Sequence, residues 1–215
     1  KMTQAKKCLL IIDMQYDFID GSLKVDEGEE IIPSIKKLLN SEQTVFDLIV
    51  FTKDDHPKDH ISFASNHKDK KPFSEYTYTS ELDGSRSFKT LLWPDHCVVG
   101  TKGNEIHEDL LEEITNNKIN GVETLVVGKG TQCNREFFSC FDDVLNEEHT
   151  DLETILKCRG IQDVYICGLA YDYCVYNSAV SSSKLGFKTH IIDNMCKKID
   201  KNWQLDSSSI EKITL

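Results

Sequence analysis

Five short apolar runs, separated by more polar stretches, constrain the fold of this chain more than any other feature of its sequence. The runs are rich in Val, Ile and Leu and lie at 8–12, 45–51, 124–127, 164–167 and 189–192. Such runs are typical of strands buried on both faces of a sheet. Apolar residues three and four apart predict helices between them, at 29–39, 106–114, 137–145 and 174–185. The alternation predicts an α/β fold of three layers, in which helices cover both faces of a mostly parallel sheet of about six strands.

The length of the chain favours one domain. With 215 residues, of which 39% are hydrophobic, the chain can bury one sizeable core. We therefore expect a single domain over residues 1–215. Charged, hydroxyl-bearing and aromatic residues interrupt the alternation at about 65–92. A loop of this length in a compact domain is usually functional or disordered, and we expect an ordered insertion over the edge of the sheet.

The net charge of −11 argues against some classes of partner. Acidic residues are scattered among the lysines, so the surface repels nucleic-acid phosphates and anionic membranes. No apolar run approaches the roughly 20 residues that span a bilayer, and the first residues lack the apolar stretch of a signal peptide. We expect a soluble, cytoplasmic protein that binds a small molecule, not nucleic acid or membrane. A nuclear location and a homo-oligomer are left open.

Eight cysteines without a Cys-x-x-Cys pair favour reduced thiols, most of them small core residues. They are Cys8, Cys97, Cys133, Cys140, Cys158, Cys167, Cys174 and Cys196. Cys174 has the best reason to be reactive, because it follows the fourth apolar run and is expected in the first turn of a helix. Free amide groups and the helix dipole favour a thiolate there. Asp172 is a natural N-cap for that helix.

A carboxylate and an ammonium group follow two other apolar runs. Asp13 comes directly after the first run, and Lys129 stands between Gly128 and Gly130 after the third. Ligands of parallel sheets bind beyond the carboxyl ends of the strands, so both side chains are candidates for the same crevice. Asp13 could act as a general base. The alternatives are a cap on the following turn for Asp13 and a solvated surface position for Lys129.

An Asp-x-His pair follows the second apolar run. Asp54 and His56 are two positions apart in an extended segment, so their side chains point to the same side and could bind one cation. A third ligand could come from residues 93–97, which include His96. The alternative is a polar surface position, which is the usual explanation of any single histidine.

Taken in order, these stretches resemble the nicotinamidase branch of the isochorismatase-like cysteine hydrolases. The resemblance extends over residues 9–193, with motifs at 12–18, 54–57, 60–64, 93–97, 100–103, 129–130, 135–141 and 168–175. It implies an isochorismatase-like fold, which is Rossmann-like. Residues 65–78 are similar to an insertion of eukaryotic members of this branch. Tyr16 and Asp55 depart from the family, in which asparagine and an aromatic residue are usual at these positions.

The resemblance implies a catalytic triad of Asp13, Lys129 and Cys174. It also implies a cis peptide bond between Leu169 and Ala170. The backbone amides of Ala170 and Cys174 are expected to form an oxyanion hole.

The resemblance also implies a metal site and a binding site for a pyridine ring. The implied metal ligands are Asp54, His56 and His96, with His60 and Glu136 expected beside the metal. Phe18 and Trp93 match aromatic residues that flank the ring. A site of carboxylate and imidazole ligands suits Zn²⁺ and also accepts Fe²⁺ or Mn²⁺.

The implied function is that of a metal-assisted cysteine amidohydrolase. It would convert nicotinamide to nicotinic acid and ammonia through a thioester intermediate, and so feed NAD salvage. The alternatives are a hydrolase of the same family that acts on another small amide, and a binding protein on this fold without catalysis. A thiol redox protein is a third alternative, but a resolving cysteine at close sequence spacing is lacking.

Overall fold

The computed structural model describes residues 4–115, 121–206 and 209–215. The strands in these ranges are β1 (Lys6–Ile12), β2 (Leu48–Asp54), β3 (Glu75–Thr79), β4 (Ser87–Leu91), β5 (Glu123–Lys129), β6 (Ile161–Leu169), β7 (Lys188–Lys197) and β8 (Glu211–Ile213). The α-helices are α1 (Tyr16–Ile19), α2 (Ile32–Leu39), α3 (Glu108–Thr115), α4 (Leu152–Cys158) and α5 (Tyr176–Lys184). None of the helices in these ranges has the length and the apolar composition of a transmembrane span.

Six of the described strands form one parallel sheet in the order β5-β2-β1-β6-β7-β8. The chain builds outward from β1 to β2 and β5, then returns to β6 on the other side of β1 and continues to β7. Right-handed crossovers therefore place α2 and α3 on one face and α4 and α5 on the other. In agreement with this, α2 packs against α3, α4 against β6 and α5 against β7. The predicted parallel α/β sheet is confirmed.

The order of the strands reverses between β1 and β6, which lie side by side at the centre of the sheet. In open parallel sheets this switch point is where ligands bind, beyond the carboxyl ends of the strands. Gly168 lets the two strands approach closely there. Its φ is +119°, and a Cβ on this residue would lie 2.2 Å from the carbonyl oxygen of Ile12. The segments after β1 and β6 therefore meet over one crevice.

All five apolar runs lie on strands of the sheet, as predicted. Residues 8–12 of β1 are fully buried, as expected of a strand covered on both faces. The second strand begins later than predicted, because Val45 is half exposed and β2 starts at Leu48. The short strand β8 and the helix α4 have no counterpart in the predicted pattern.

Three of the four predicted helical stretches are confirmed with shifted bounds. The first begins as a 3-10 turn at Gly28–Ile31 and continues as α2, the second corresponds to α3, and the fourth to α5. The predicted helix at 137–145 is wrong, because this segment forms irregular turns. Serine hydroxyls accept hydrogen bonds from its backbone amides. The amide of Cys140 donates to Ser178 Oγ (3.0 Å) and that of Phe141 to Ser139 Oγ (3.0 Å).

The segment at about 65–92 contains an antiparallel hairpin of β3 and β4. The amide of Phe73 donates to the carbonyl of Leu92 at 2.7 Å. Ser80, which follows β3, donates from Oγ to the Glu147 carboxylate at 2.7 Å, and Arg86 bonds to the carbonyl of Leu145. These contacts attach the hairpin to the irregular segment that replaces the predicted helix.

Candidate active site

Cys174 lies after β6 in a π-helical turn, Tyr171–Val175, that leads into α5. It is therefore not in the first turn of a regular helix, as the sequence suggested. Burial raises the pKa of this thiol well above its usual value, and the nearby Lys129 ammonium opposes the shift. Asp172 is not a helix N-cap either, because its carboxylate accepts the amides of Ile199 (3.0 Å) and Asp200 (2.8 Å). Burial therefore favours the protonated form of this thiol, and the Lys129 ammonium favours the thiolate.

Lys129 is the last residue of β5, and its side chain is fully buried. Its Nζ lies 2.9 Å from Asp13 Oδ2, 2.5 Å from Asp54 Oδ1 and 3.4 Å from Cys174 Sγ. It also donates to the carbonyl of Phe137 at 3.1 Å. Burial alone disfavours the ammonium, but the two carboxylates raise its pKa well above the usual lysine value. The alternative of a solvated surface lysine is wrong.

Asp13 follows β1 with a φ of +49°, and its side chain is buried. Its Oδ1 accepts the hydroxyl of Thr52 at 2.8 Å, and its backbone amide donates to the carbonyl of Thr52 at 3.2 Å. One of its carboxylate oxygens also lies within 4.8 Å of Cys174 Sγ. Burial raises the pKa of Asp13, the Lys129 ammonium opposes that rise, and the charge of Asp54 adds to it. A carboxylate this close to a thiol is able to exchange a proton with it.

Asp54, His56 and His96 bring three potential metal-ligand atoms within 4.8 Å of one another. The Nδ1 atoms of both histidines lie 2.8 Å from carbonyl oxygens, those of Gly130 and Pro94. Because a carbonyl oxygen only accepts, each Nδ1 carries the proton and each Nε2 presents a lone pair. These Nε2 atoms lie 3.4 Å and 3.6 Å from Asp54 Oδ2. Histidines that bind metals are commonly oriented by such a bond from the other ring nitrogen.

Two observations favour a cation at this cluster. The Nε2 atom of His56 is buried and has no hydrogen-bond partner among the described residues. In addition, the Nε2 lone pairs of His56 and His96 face Asp54 Oδ2. All three groups are acceptors, so none of them can donate a hydrogen bond to another. One carboxylate and two imidazoles form a donor set that divalent metals prefer. The residues present therefore fit a metal ion.

His60 and Glu136 lie beside this cluster. His60 Nε2 donates to the carbonyl of Arg135 at 2.8 Å, and Nδ1 accepts from the hydroxyl of Ser62 at 2.7 Å. Both nitrogens are thus occupied, and the ring stacks on that of His56 with centroids 3.9 Å apart. Burial lowers the pKa of His60 to about 2 and raises that of Glu136 to about 7. Glu136 Oε2 is buried without a hydrogen-bond partner in the described part of the chain.

A small pocket opens onto Cys174, Asp54, His96 and Glu136. Its lining includes the predicted Phe18, Trp93 and Ala170, and the peptide bond between Leu169 and Ala170 is cis, as expected. Sequence reasoning missed four further lining residues, Leu23, Phe138, Tyr173 and Ile199. Trp93 contacts Tyr173 edge to face, with ring centroids 4.8 Å apart. The signal for Phe138 and Tyr173 was their position within two residues of Glu136 and Cys174.

Comparisons with known proteins identify the family. Residues 7–212 match the family model described as the isochorismatase domain. The chain belongs to the isochorismatase family. It is 41% identical over 189 residues to the nicotinamidase of Saccharomyces cerevisiae. This alignment covers 86% of this chain and 85% of the yeast protein.

Solved structures of this family agree with the fold. A structure of the yeast nicotinamidase superposes with a TM-score of 0.86 at 38% identity, over 91% of this chain and 90% of that one. A pyrazinamidase of Pyrococcus horikoshii in complex with zinc superposes with a TM-score of 0.70 at 28% identity, over 98% and 99% of the two chains. The isochorismatase-like α/β fold expected from the sequence is confirmed.

Proposed function

We propose that this chain is a metal-assisted cysteine amidohydrolase that converts nicotinamide to nicotinate and ammonia. The observation that carries the proposal is the set of contacts around Lys129. One buried ammonium touches a thiol at 3.4 Å and a carboxylate at 2.9 Å, at the end of an aromatic pocket. Nucleophile, base and charge partner are thus within reach of one bound amide. The similarity of this chain to nicotinamidases supports nicotinamide as the substrate.

The first step is a proton transfer. Asp13 takes the proton of the Cys174 thiol, since one of its carboxylate oxygens lies within 4.8 Å of Sγ. The Lys129 ammonium stabilises the thiolate as it forms, because it lies 3.4 Å from Sγ. The thiolate then attacks the carboxamide carbon, and the electron pair of the C=O bond moves to oxygen.

The second step expels ammonia. We assign the negative oxygen to the backbone amides of Ala170 and Cys174, both of which line the pocket. Loss of one donor of this type costs on the order of 3 kcal/mol in other hydrolases. Asp13, now protonated, delivers its proton to the amide nitrogen as the C–N bond breaks. Ammonia leaves, and the acyl group remains on Sγ as a thioester.

The third step regenerates the thiol. Asp13 removes a proton from a water molecule, which attacks the thioester carbon, and the C–S bond breaks. Cys174 Sγ leaves as a thiolate and recovers the proton from Asp13. The carboxylic acid product ionises to nicotinate. The net reaction consumes one water and one amide for each ammonia released.

We propose Asp54, His56 and His96 as the ligands of a divalent metal. When bound, the ion would supply a Lewis acid suited to the ring nitrogen of a pyridine substrate. Phe18 and Trp93 are proposed to flank the ring, and Glu136 and His60 to support the metal site from beside it. Zn²⁺ suits this donor set, and Fe²⁺ or Mn²⁺ also fit it by ligand type.

We further propose a cytoplasmic location and a role of the product in NAD salvage. All eight cysteines are free, which matches a reducing compartment. Nicotinate is a pyridine carboxylate, the form that NAD synthesis can reuse.

The test is ammonia release by the purified protein from nicotinamide and from benzamide, with nicotinate identified by chromatography. Benzamide keeps the ring and the carboxamide but lacks the ring nitrogen. We expect turnover of nicotinamide and a much higher KM for benzamide. Absence of turnover of nicotinamide by metal-loaded protein would overturn the proposed substrate. Equal KM values would remove the metal from substrate binding.

A further inference from the structure

A larger cleft, which we call the lysine cleft, lies beside the π-helical turn. It is lined by Lys24, Lys197, Lys198, Lys201, Lys212 and Trp203, together with other residues. Its volume is about 920 Å³. Ligand sites commonly measure about 300–1,000 Å³, so the cleft suits a ligand much larger than a single phosphate ion.

The lysine cleft concentrates positive charge on a chain whose net charge is −11. Its five lysines face three acidic residues of the lining, Asp26, Glu27 and Asp193. Two of these acids are already engaged by lysines: Lys201 Nζ lies 3.4 Å from Asp26, and Lys197 Nζ lies 3.2 Å from Glu27. The third, Asp193, accepts the hydroxyl of Tyr171 at 2.8 Å.

Two lysines of the cleft are left uncompensated. Among the described residues, the side chains of Lys24 and Lys212 make no ion pair or hydrogen bond, and both residues are exposed. Two free ammonium groups on one concave surface attract a doubly charged anion more strongly than isolated lysines do. The charge of the cleft therefore favours a ligand with more than one negative charge, such as a diphosphate.

An indole ring lines the same cleft. Trp203 is partly exposed, and its ring lies 5.1 Å from that of Tyr171 and 5.5 Å from that of Tyr176. These contacts hold the ring in place, and its backbone carbonyl accepts from Lys198 Nζ at 2.6 Å. A fixed aromatic ring beside cationic side chains is a common platform for a planar base.

The segment that carries these groups also forms a wall of the active-site pocket. Ile199 lines that pocket, and its amide is bound by the Asp172 carboxylate within the π-helical turn of Cys174. Trp203 closes the same loop, since its amide donates to the carbonyl of Asp200 at 3.1 Å. A ligand that contacts Lys197, Lys198 or Trp203 therefore contacts the segment whose Ile199 lines the active-site pocket.

We propose that the lysine cleft binds a nucleotide and that its occupation changes the active-site pocket through Ile199. The phosphates contact Lys24 and Lys212, and the base packs on Trp203. Nucleic acid is a poor alternative ligand, because the remainder of the acidic surface repels a long polyanion.

Binding is tested by isothermal titration calorimetry with ADP as the probe and without any amide substrate. The test variant is the double substitution Lys24→Gln/Lys212→Gln. Its matched control, Lys37→Gln/Lys188→Gln, removes the same charge from exposed lysines outside the cleft. We expect ADP to bind wild type and control equally, and the test variant about tenfold more weakly. No binding of ADP, or equal loss in both variants, would overturn the site.

Pyrophosphate separates the contribution of the base. It carries two phosphates but no ring, so we expect weaker binding than that of ADP. Equal affinity would overturn the contact with Trp203 and reduce the cleft to an anion site.

The link to the active site rests on the proposed function and has its own readout. We expect the KM for nicotinamide to shift at saturating ADP in wild type, with a much smaller shift in the Lys24→Gln/Lys212→Gln variant at the same ADP concentration. An unchanged KM despite calorimetric binding would overturn the coupling. Because the calorimetry needs no turnover, failure of the nucleotide site and failure of the amidase proposal are distinguishable.

Discussion

The Nζ atom of Lys129 lies 2.5 Å from Oδ1 of Asp54 and so joins the candidate metal ligands to the candidate nucleophile. The same ammonium contacts Asp13 at 2.9 Å. Two buried carboxylates share one positive charge, which leaves one negative charge uncompensated in the site. A divalent cation beside Asp54 would offset it. The charge balance of the triad and the presence of the metal are therefore expected to depend on each other.

The first prediction concerns Cys174. The substitution Cys174→Ala removes the attacking sulfur but leaves the pocket and the metal ligands, so nicotinamide should still bind. We expect kcat to fall by a factor on the order of 10⁶, as when other hydrolases lose their nucleophile. Ammonia release measures the loss, and calorimetry measures the retained binding.

Cys167→Ala is the matched control for this prediction. Cys167 is also buried, on β6, but does not line the active-site pocket. We expect lower stability and nearly normal kcat. Substantial turnover by Cys174→Ala would contradict the thiol mechanism.

The position of the site could be predicted from the sequence because it depends on strand ends. Apolar runs identify β1, β2, β5 and β6, and the polar residues after them meet wherever parallel strands align. The environment of Lys129 could not be predicted in this way. Its Nζ contacts the carbonyl of Phe137 and Cys174 of the π-helical turn, and neither contact follows from local periodicity.

The segment at 137–145 illustrates a second limit of sequence reasoning. Phe137, Phe138 and Phe141 have helical spacing, but Phe138 turns into the active-site pocket. Ser139 and Ser178 bind backbone amides that a helix would have used. Periodicity reports which residues are buried, and tertiary hydrogen bonds decide their secondary structure.

The second prediction concerns the metal. His96→Ala removes one imidazole and should lower the metal content of the purified protein, with a rise in the KM for nicotinamide of about tenfold or more. Elemental analysis and steady-state kinetics measure the two effects. His149→Ala, at an exposed histidine outside the pocket, is the control and should keep both values. Full metal content in His96→Ala would remove this residue from the ligand set.

The third prediction concerns Lys129. Lys129→Met leaves Asp13 and Asp54 buried without their cation, so the free energy of unfolding should fall by about 3–5 kcal/mol. Urea denaturation measures it. Adding Asp13→Asn to Lys129→Met removes one of the unpaired charges and should restore part of the loss. If the free energy of unfolding lost in the double variant equals the sum of the losses in Lys129→Met and Asp13→Asn, Lys129 and Asp13 are not coupled.

The fourth prediction concerns pH. Burial raises the pKa of Asp13, and the carboxylate form is the proposed base. As pH falls, kcat/KM should therefore decline with an apparent pKa above the usual aspartate value of about 3.9. A decline that begins only below that value would contradict the assignment of Asp13 as the base.

The raised pKa of Asp13 also makes the free energy of unfolding depend on pH. Its contribution falls as pH rises, whereas kcat/KM rises. The folded chain holds the Asp13 proton more tightly than the unfolded chain does. This contribution is therefore fully present below the usual aspartate pKa and is lost as pH rises through the raised pKa. As pH rises from the usual aspartate pKa to the raised one, the free energy of unfolding of wild type should fall relative to that of Asp13→Asn. Urea denaturation at several pH values measures this difference. A constant difference would contradict the raised pKa.

The last prediction concerns Tyr78, which the inserted hairpin buries near Glu136. Its hydroxyl is buried and has no hydrogen-bond partner among the described residues, and burial raises its pKa. An unsatisfied hydroxyl contributes a desolvation cost, so Tyr78→Phe should leave the free energy of unfolding unchanged or raise it by about 1 kcal/mol. Tyr171→Phe is the matched control, because it removes a hydroxyl that donates to Asp193 at 2.8 Å. It should lower the same free energy by about 1 kcal/mol. Comparable losses in the two variants would contradict this prediction and indicate that the Tyr78 hydroxyl has a hydrogen-bond partner.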